Sequence, residues 1–483
     1  MQATAIYNDK NNKVIAKDFN FDGTRQDLLK ESSKFLLQVA IPSQLTVMFP
    51  NSALLQVVYK VTKRGTYKEN GTEYPSMYIP TVIINDQAKN LPEGDDYKKC
   101  HLTCIHPESN NYKAYIIEPD GDNILCKYGS IDDVAKGKVR TVNYKRDLYW
   151  VRYYEKLSKG YTDQSDVLLS DETETETNAN PLIFTHKLYE ELYHYAKNVV
   201  NDILECPMKI TEKQVKKCRE IWNMLGKETT LDGFNNKLKE LLVISPRRRR
   251  PLQDNVNMYF AKSSSDFTPI IDFEDNLISA MEGTYYAKNN GQMNLDNNLP
   301  IIIDAAEDMK KHILSTLPSE IAKRVEKVYK VIDINRQQIF ELYCQQKNIT
   351  NIQQLWHGSR NENWLSIIKN GLQINPNAKI TGKMFGKGIY FAPNPKKSYG
   401  YTSCLNTYWA KGNMNVGFMG LYNTAVGVPY YATCTGTSAE QATKNNNKDC
   451  LFAEKGKLGL YNDEVVFYDE RAVCLSYLVK IKS

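Results

Sequence analysis

The sequence lacks any apolar run approaching the roughly 20 residues needed to cross a bilayer. Its start, MQATAIYNDK, has no basic stretch leading into an apolar one, so neither a membrane nor a secreted class is expected. It also lacks strong charge of either sign. Against 62 Lys and Arg stand 56 Asp and Glu, and the resulting +6 over 483 residues is too mild for a polycation, although local basic patches stay open. The ten cysteines (100, 104, 126, 206, 218, 344, 404, 434, 450 and 474) are scattered, as suits reduced thiols of an intracellular protein. Zinc-finger spacing is missing. The one cluster of metal-type ligands, Cys100, His101, Cys104 and His106, has no second pair at matching spacing, so no metal is expected. No internal repeat is visible, which excludes solenoids and propellers. What is present, 42% hydrophobic and 24% charged residues, is ordinary for a globular chain long enough for several domains.

Residues 1–98 carry β-leaning stretches at 35–41, 45–49, 53–61 and 77–84 between polar turns, a β-rich region of unassigned role. A second β-rich unit spans 99–168. Within it Tyr115-Ile116-Ile117 reads as a strand, Pro119-Asp120-Gly121-Asp122 as a turn and residues 124–128 as the return strand. A helix is expected over 147–159, with Leu148, Val151, Tyr154 and Leu157 on one face. Residues 170–180, SDETETETNAN, are acidic and almost without apolar side chains, which marks a linker over 169–180.

From 181 to 285 the period turns helical. Leu188, Leu192, Tyr195, Val199 and Ile203 recur at steps of three or four. Thr211 and Gln214 form a capping-box signature before Val215, Cys218, Ile221, Trp222 and Leu225, and Gly226 suits the stop. Leu231, Phe234, Leu238 and Leu241 suggest a further helix. Arg247, Arg248, Arg249 and Arg250, between prolines, should be solvated or paired with acidic groups. A surface loop is the ordinary reading, with a nucleic-acid contact or nuclear-import signal as the alternatives.

The region 286–483 is mixed, with strands dominating after Gln354, and holds the densest chemistry. Leu355-Trp356-His357-Gly358-Ser359 reads as a strand running into a glycine, with Asn361 offered as N-cap of a helix that Gly371 ends. Met384-Phe385-Gly386-Lys387-Gly388 is a turn entering a strand at Ile389-Tyr390-Phe391-Ala392. Lys397, Ser398, Tyr399 and Tyr401 follow, and Glu464-Val465-Val466-Phe467-Tyr468 is another strand with Glu464, Val466 and Tyr468 on one face. Singly, each has a structural reading. Together, a His beside a Gly, tyrosines around a Ser and an acidic residue opening a strand suit a planar polar ligand held between aromatic faces.

LWHGSR, TGKMFGKGIYFA, KSYGY and LYNDEVVFYD, in this order, resemble the catalytic domain of poly(ADP-ribose) polymerases. The resemblance implies an α+β multidomain chain whose C-terminal domain, 286–483, has the ADP-ribosyltransferase fold of two packed β-sheets and takes NAD as substrate without a metal. The family's His-Tyr-Glu triad falls on His357, Tyr390 and Glu464. By the same resemblance Gly358 and Ser398 hold the nicotinamide carboxamide, Tyr401 stacks on the ring and Tyr390 lines its pocket. His357 bonds the adenosine-side ribose with Ser359 close by, and Lys397 faces the pyrophosphate. A triad ending in Glu implies polymer synthesis on protein acceptors, and the polar linker offers Ser170, Asp171, Glu172, Glu174 and Glu176 as nucleophile-bearing candidates for automodification.

Upstream, residues 99–168, with EKLSKGYT, resemble a WGR domain, and 181–285, with LVISP, the family's helical regulatory domain. These imply contact with nicked or broken DNA, a nuclear setting and a role in DNA repair. The sequence departs from the pattern at four places. Gln373 stands where the family has an Arg, and one extra residue separates Tyr461 from Glu464, making Asp463 a rival carboxylate. The WGR signature survives only as Tyr128-Gly129-Ser130, with Arg140, Lys145 and Arg146 keeping some basic character. The family's DNA-sensing zinc fingers have no counterpart. Single-unit transfer, or a silent scaffold binding nucleic acid or NAD, are the alternatives.

Overall fold

The computed structural model describes residues 1–38, 45–49, 55–63, 66–69, 72–75, 78–84, 90–94, 97–106, 111–135, 137–169, 186–204, 210–247, 260–290, 299–374, 384–405 and 414–483, with the backbone alone over 55–84, 106, 111, 132, 135 and 286–290. The proposed acceptor residues 170–176 and Arg248, Arg249 and Arg250 lie outside the described residues. The chain is mixed α/β with mainly antiparallel sheets and forms two compact units, Met1–Glu172 and a second from Thr173–Asp254 and Met258–Ser483. Among the described residues no helix is long and apolar enough to cross a membrane.

In the first unit, β1 (Gln2–Asn8), β2 (Val14–Asn20), β3 (Leu45–Met48), β4 (Leu55–Lys63) and β7 (Tyr78–Ile84) form one sheet in the order β2-β1-β3-β4-β7. β5 (Thr66–Glu69) and β6 (Thr72–Pro75) pair separately. Strand β1 buries Ala3, Ala5 and Tyr7, every second residue, as a pleated strand with one inner face must. The expected strand over 35–41 does not form at its start. Residues Lys34–Leu37 are a 3-10 turn continuing helix α1 (Arg25–Ser33), which Thr24 caps by accepting the Asp27 N–H at 3.1 Å. Phe35 then packs against Tyr7 and Phe19, each at 5.6 Å between ring centroids. The rest of that stretch, 39–41, lies outside the described residues.

A second sheet follows, ordered β11-β10-β9-β8-β12, from β8 (Cys100–His106), β9 (Asn111–Asp120), β10 (Asn123–Ser130), β11 (Arg140–Lys145) and β12 (Thr162–Asp163). The β9–β10 hairpin closes through Gly121 and Asp122, with Gly121 at φ +55°, a position where a side chain would strain the backbone. Cys100 and Cys104 are buried on one face of β8, and alternation turns His101 to the other. Helix α2 (Tyr149–Ser158) buries Tyr149, Val151 and Tyr154. A single apolar cluster runs from Ala3, Leu28, Leu29 and Val47 to Leu102, Ile117, Ile124 and Val151, so both sheets share one core.

The second unit opens with helices α3 (Lys187–Ile203), α4 (Glu212–Leu225), α5 (Leu231–Ile244) and α6 (Phe267–Asn290). Thr211 caps α4 through the Gln214 N–H at 3.1 Å, but Gln214 does not close the box. Its amide donates to the Ile244 carbonyl at 2.8 Å, tying α4 to the end of α5. Then come β13 (Ile301–Asp304), α7 (Glu307–Thr316), β14 (Val325–Ile332), α8 (Ile334–Lys347), β15 (Ile352–Ser359), α9 (Trp364–Asn370), β16 (Ile389–Phe391), α10 (Pro395–Tyr399), β17 (Val416–Ala425), β18 (Pro429–Tyr431), α11 (Gly436–Asn445), β19 (Cys450–Ala453), β20 (Glu464–Phe467) and β21 (Val473–Lys482). They build two sheets, β13-β14-β21-β17-β15 and β16-β20-β19-β18.

Helix α3 is seated on the first of these sheets. Leu188, Tyr189, Leu192 and Tyr193 share a cluster with Trp364, Phe418 and Leu478. Glu191 pairs with Lys480 of β21 at 2.9 Å. Burial alone would lower the Lys480 pKa, but Glu191 and Glu326 outweigh that and hold it above the ordinary range.

Arg247 departs from the surface-loop reading and takes the other course expected of it, pairing with an acidic group. The backbone at Leu204 bridges to Arg247, and the guanidinium turns inward to pair with Glu274 of α6, both side chains being almost wholly buried. An ion pair taken out of water is tolerated only while both partners remain. Glu274→Ala is therefore expected to cost about 3–5 kcal/mol of stability, whereas Arg247→Met with Glu274→Leu returns most of it. Urea unfolding of the three proteins checks this, and equal losses in the single and double variants would contradict it.

Candidate active site at the seam between two sheets

Strands β15 and β16 are edges of different sheets, and they meet. The Trp356 N–H donates to the Ala392 carbonyl at 3.2 Å and the Ala392 N–H to the Trp356 carbonyl at 3.0 Å, one reciprocal bridge joining the sheets. One residue along, His357 Nδ1 lies 3.0 Å from the Tyr390 carbonyl, which fixes the imidazole across the seam. Trp364, Phe391 and Tyr422 surround the ring at 5.6–6.4 Å between centroids.

Gly358 is required by packing. A Cβ there would collide with the Ser398 carbonyl. Ser398 belongs to α10, which starts with Pro395 at its first position and is capped by Asn394 accepting the Lys396 N–H at 3.0 Å. The Ser398 hydroxyl is buried and donates to the Trp356 carbonyl at 2.9 Å. Ser359 accepts from the Asn363 amide at 3.2 Å. Tyr401 leaves 42% of its surface exposed, a ring available to a ligand.

Tyr390 pairs with Val466 across the β16–β20 ladder, and Glu464 lies two residues from Val466, so Tyr390 and Glu464 share one face of the sheet. Burial raises the Tyr390 phenol well above its ordinary pKa. Its hydroxyl is engaged with the preceding turn, accepting from the Phe385 N–H and donating to the Gly386 carbonyl, both at 2.9 Å. Glu464 is 9% exposed and forms an ion pair with Lys397, while its second oxygen is buried without a hydrogen-bond partner among the described residues. A buried carboxylate oxygen left open is what a ligand hydroxyl would satisfy. Asp463 accepts the Lys455 N–H at 2.7 Å and closes the loop before β20.

Asn361 is not the N-cap expected of it. It opens a 3-10 turn, and its buried amide donates to the Val416 carbonyl at 2.9 Å. Helix α9 does end at Gly371, with φ +74°. Some contributors carried no signal in the sequence. The Asn363 amide reaches Asn276 of α6 at 2.6 Å, and the Ser366 hydroxyl reaches Glu282 at 2.7 Å, itself paired with Arg219 of α4. The helices thus hold the segment directly after His357, Gly358 and Ser359.

Two mainly antiparallel sheets joined at a His-Gly edge, with a tyrosine and a glutamate on the facing strands, define a class. Residues 305–483 match the family model of the poly(ADP-ribose) polymerase catalytic domain, so the chain carries a domain of that family. Among similar proteins are poly [ADP-ribose] polymerase 1 of Gallus gallus, 30% identical over 207 residues, covering 37% of this chain and 20% of the relative. Poly [ADP-ribose] polymerase 2-B of Oryza sativa subsp. japonica is 25% identical over 389 residues, 72% of this chain and 62% of the relative. Poly [ADP-ribose] polymerase 2 of Homo sapiens is 47% identical over 74 residues, 15% of this chain and 12% of the relative. The chain therefore spans less than two thirds of each of these relatives.

Desolvation pushes the Lys397 ammonium down to about 8, against the pull of Asp463. The unfolded side chain holds its proton to about 10.4, so between these values the unfolded state binds more protons. Stability should then rise with pH across that window, and the gain vanish as pH falls to about 8. Replacing Lys397 with Met is expected to flatten the rise, as read from unfolding free energies at pH 7.5, 9 and 10; an unchanged slope would refute it.

Proposed function

We propose that this chain is an NAD-dependent ADP-ribosyltransferase that releases nicotinamide and extends poly(ADP-ribose) on protein acceptors, itself included. The observation that carries the reading is the gathering of His357, Tyr390 and Glu464 at one seam, with one Glu464 oxygen buried and, among the described residues, unpartnered. The exposed ring of Tyr401 and the half-buried ring of Tyr390 suit the faces of a nicotinamide. The Gly358 backbone and the Ser398 hydroxyl suit its carboxamide, the hydroxyl retaining acceptor capacity while it donates to Trp356. His357 and Ser359 suit a ribose, and Lys397 is placed for either the pyrophosphate or Glu464.

The transfer breaks the bond between ribose C1′ and the nicotinamide nitrogen, the electron pair leaving with nicotinamide. Positive charge builds on the ribose, and a fixed carboxylate at Glu464 stabilises it. A bond then forms between C1′ and an acceptor oxygen, whose proton passes to the same carboxylate or to water. Water must be kept from C1′ until the acceptor arrives, a task suited to the aromatic walls.

Regulation by nicked DNA through residues 99–168, in a nucleus, belongs to the same proposal. Arg140 and Lys145 lie exposed on the edge strand β11, which supports it. Arg146 is committed elsewhere, lying over Tyr97 at 4.7 Å and 3.7 Å from Glu93.

Incubation with labelled NAD, with and without 5′-phosphorylated nicked DNA, should release nicotinamide and yield long chains on a gel. Glu464→Gln should cut elongation by about 100-fold or more. Long chains made by that variant would remove Glu464 from the mechanism, and single-unit product from the unaltered chain would replace polymer synthesis with single-unit transfer.

A further inference from the structure

The turn at residues 384–388 is held by hydrogen bonds from Tyr390 and from groups that do not line the seam. The Gly436 N–H of α11 donates to the Met384 carbonyl at 2.8 Å. The Phe385 N–H donates to the Tyr390 hydroxyl, and the Phe385 carbonyl accepts from the Tyr468 hydroxyl at 2.6 Å. The Gly386 carbonyl accepts from the Tyr390 hydroxyl, and the Lys387 N–H donates to Glu440 Oε2 at 3.0 Å. Below the turn, Phe385 is fully buried among Ala439, Leu451, Ala453 and Val466. Above it, Gly386 sits at φ +81°, and a Cβ there would come within 2.8 Å of the Glu440 carboxylate. Gly388 has Val466 and the Phe467 carbonyl against it, so no other side chain fits.

We infer that Tyr468 and Glu440 are positioning residues for the NAD site, acting through this turn to set the plane of the Tyr390 ring. The inference rests on the transferase reading above, in which that ring lines the nicotinamide pocket. A tyrosine on the three-residue strand β16 has its backbone fixed by the ladder to β20, but its ring can still swing about χ1 and χ2. The hydroxyl removes that freedom by bonding twice to the turn. The turn can serve as an anchor only if it is itself immobile, and Tyr468 and Glu440 supply the bonds that make it so. Neither approaches the seam residues His357, Gly358 or Ser398 in any hydrogen bond or ion pair described above. Glu440 is kept in place by Lys444 at 2.7 Å, whose ammonium also lies over the Tyr468 ring at 5.7 Å. Burial, with Tyr390 and Glu440 close by, raises the Tyr468 phenol far above its ordinary range, so it remains a donor at any working pH.

The test compares the full chain with Tyr468→Phe, Glu440→Ala and Glu440→Gln, reading nicotinamide Kd by calorimetry and KM and kcat for NAD. Losing one such hydrogen bond corresponds to roughly a three- to ten-fold weakening. Tyr468→Phe and Glu440→Ala should raise KM and nicotinamide Kd by that factor with kcat held within about two-fold. Glu440→Gln, whose amide oxygen still accepts from Lys387, should restore both constants. Adding Tyr468→Phe to Tyr390→Phe should weaken binding no further, because both act through one turn. Thermal unfolding of each variant identifies simple loss of fold, which would lower apparent kcat and the number of binding sites without raising KM or Kd. Wild-type KM and Kd in both Tyr468→Phe and Glu440→Ala would overturn the inference, as would failure of Glu440→Gln to rescue. An unaltered chain that binds nicotinamide but releases none from NAD would overturn the transferase reading alone, and the Kd values would still decide the positioning role. A chain that neither binds nor releases it would overturn both.

Discussion

The backbone bridge between Trp356 and Ala392 is the contact on which the site depends. Two sheet edges, normally liabilities that must be covered or charged, cover each other there. The reciprocal hydrogen bonds set the spacing of β15 and β16, and everything chemical is measured from that spacing. His357 reaches the Tyr390 carbonyl because the strands are one bridge apart. Ser398 reaches the Trp356 carbonyl because α10 leaves the end of β16 at once, through Asn394 and Pro395. Gly358 has no side chain because α10 then lies directly above it. A wider seam would lose all three contacts together, and a narrower one would force Ser398 into the strand.

The polar groups brought to this seam are unequal in how they are satisfied. The Tyr390 hydroxyl is fully engaged by backbone, and His357 and Ser398 each hold a carbonyl. Glu464 is the exception, with one oxygen in an ion pair and the other without a hydrogen-bond partner among the described residues. In an interior where an unmet carboxylate oxygen is costly, that asymmetry directs attention to the group with chemistry left to do.

Local pattern made much of this visible in advance. Strands with β-branched and aromatic alternation, such as 389–391 and 464–467, and helices with clear periods, such as α3 and α4, depend on neighbours in sequence and could be read there. The elements misread are those decided at long range. Phe35 looked like a strand residue because its helix-ending role depends on Tyr7 and Phe19. Asn361 looked like a cap, yet its amide is taken by Val416 of a strand 55 positions on. For Arg247 a pairing with an acidic group was foreseeable but its burial was not, because Glu274, the partner that allows it, is 27 residues away on another helix. In the site, residue types at His357, Tyr390 and Glu464 were legible from ordered motifs. The Lys397 pairing and the grip of Asn276 and Glu282 on α9 were not, since no spacing encodes a contact between separate layers.

The single core of the first unit bears on how such a chain is inherited. Leu102, Ile117 and Val151 are buried by the same cluster that buries Ala3, Leu28 and Val47. A break near residue 98 would expose oily surface on both sides, so neither sheet is a free-standing cassette. Recombination could shuffle the pair into another protein only as one piece.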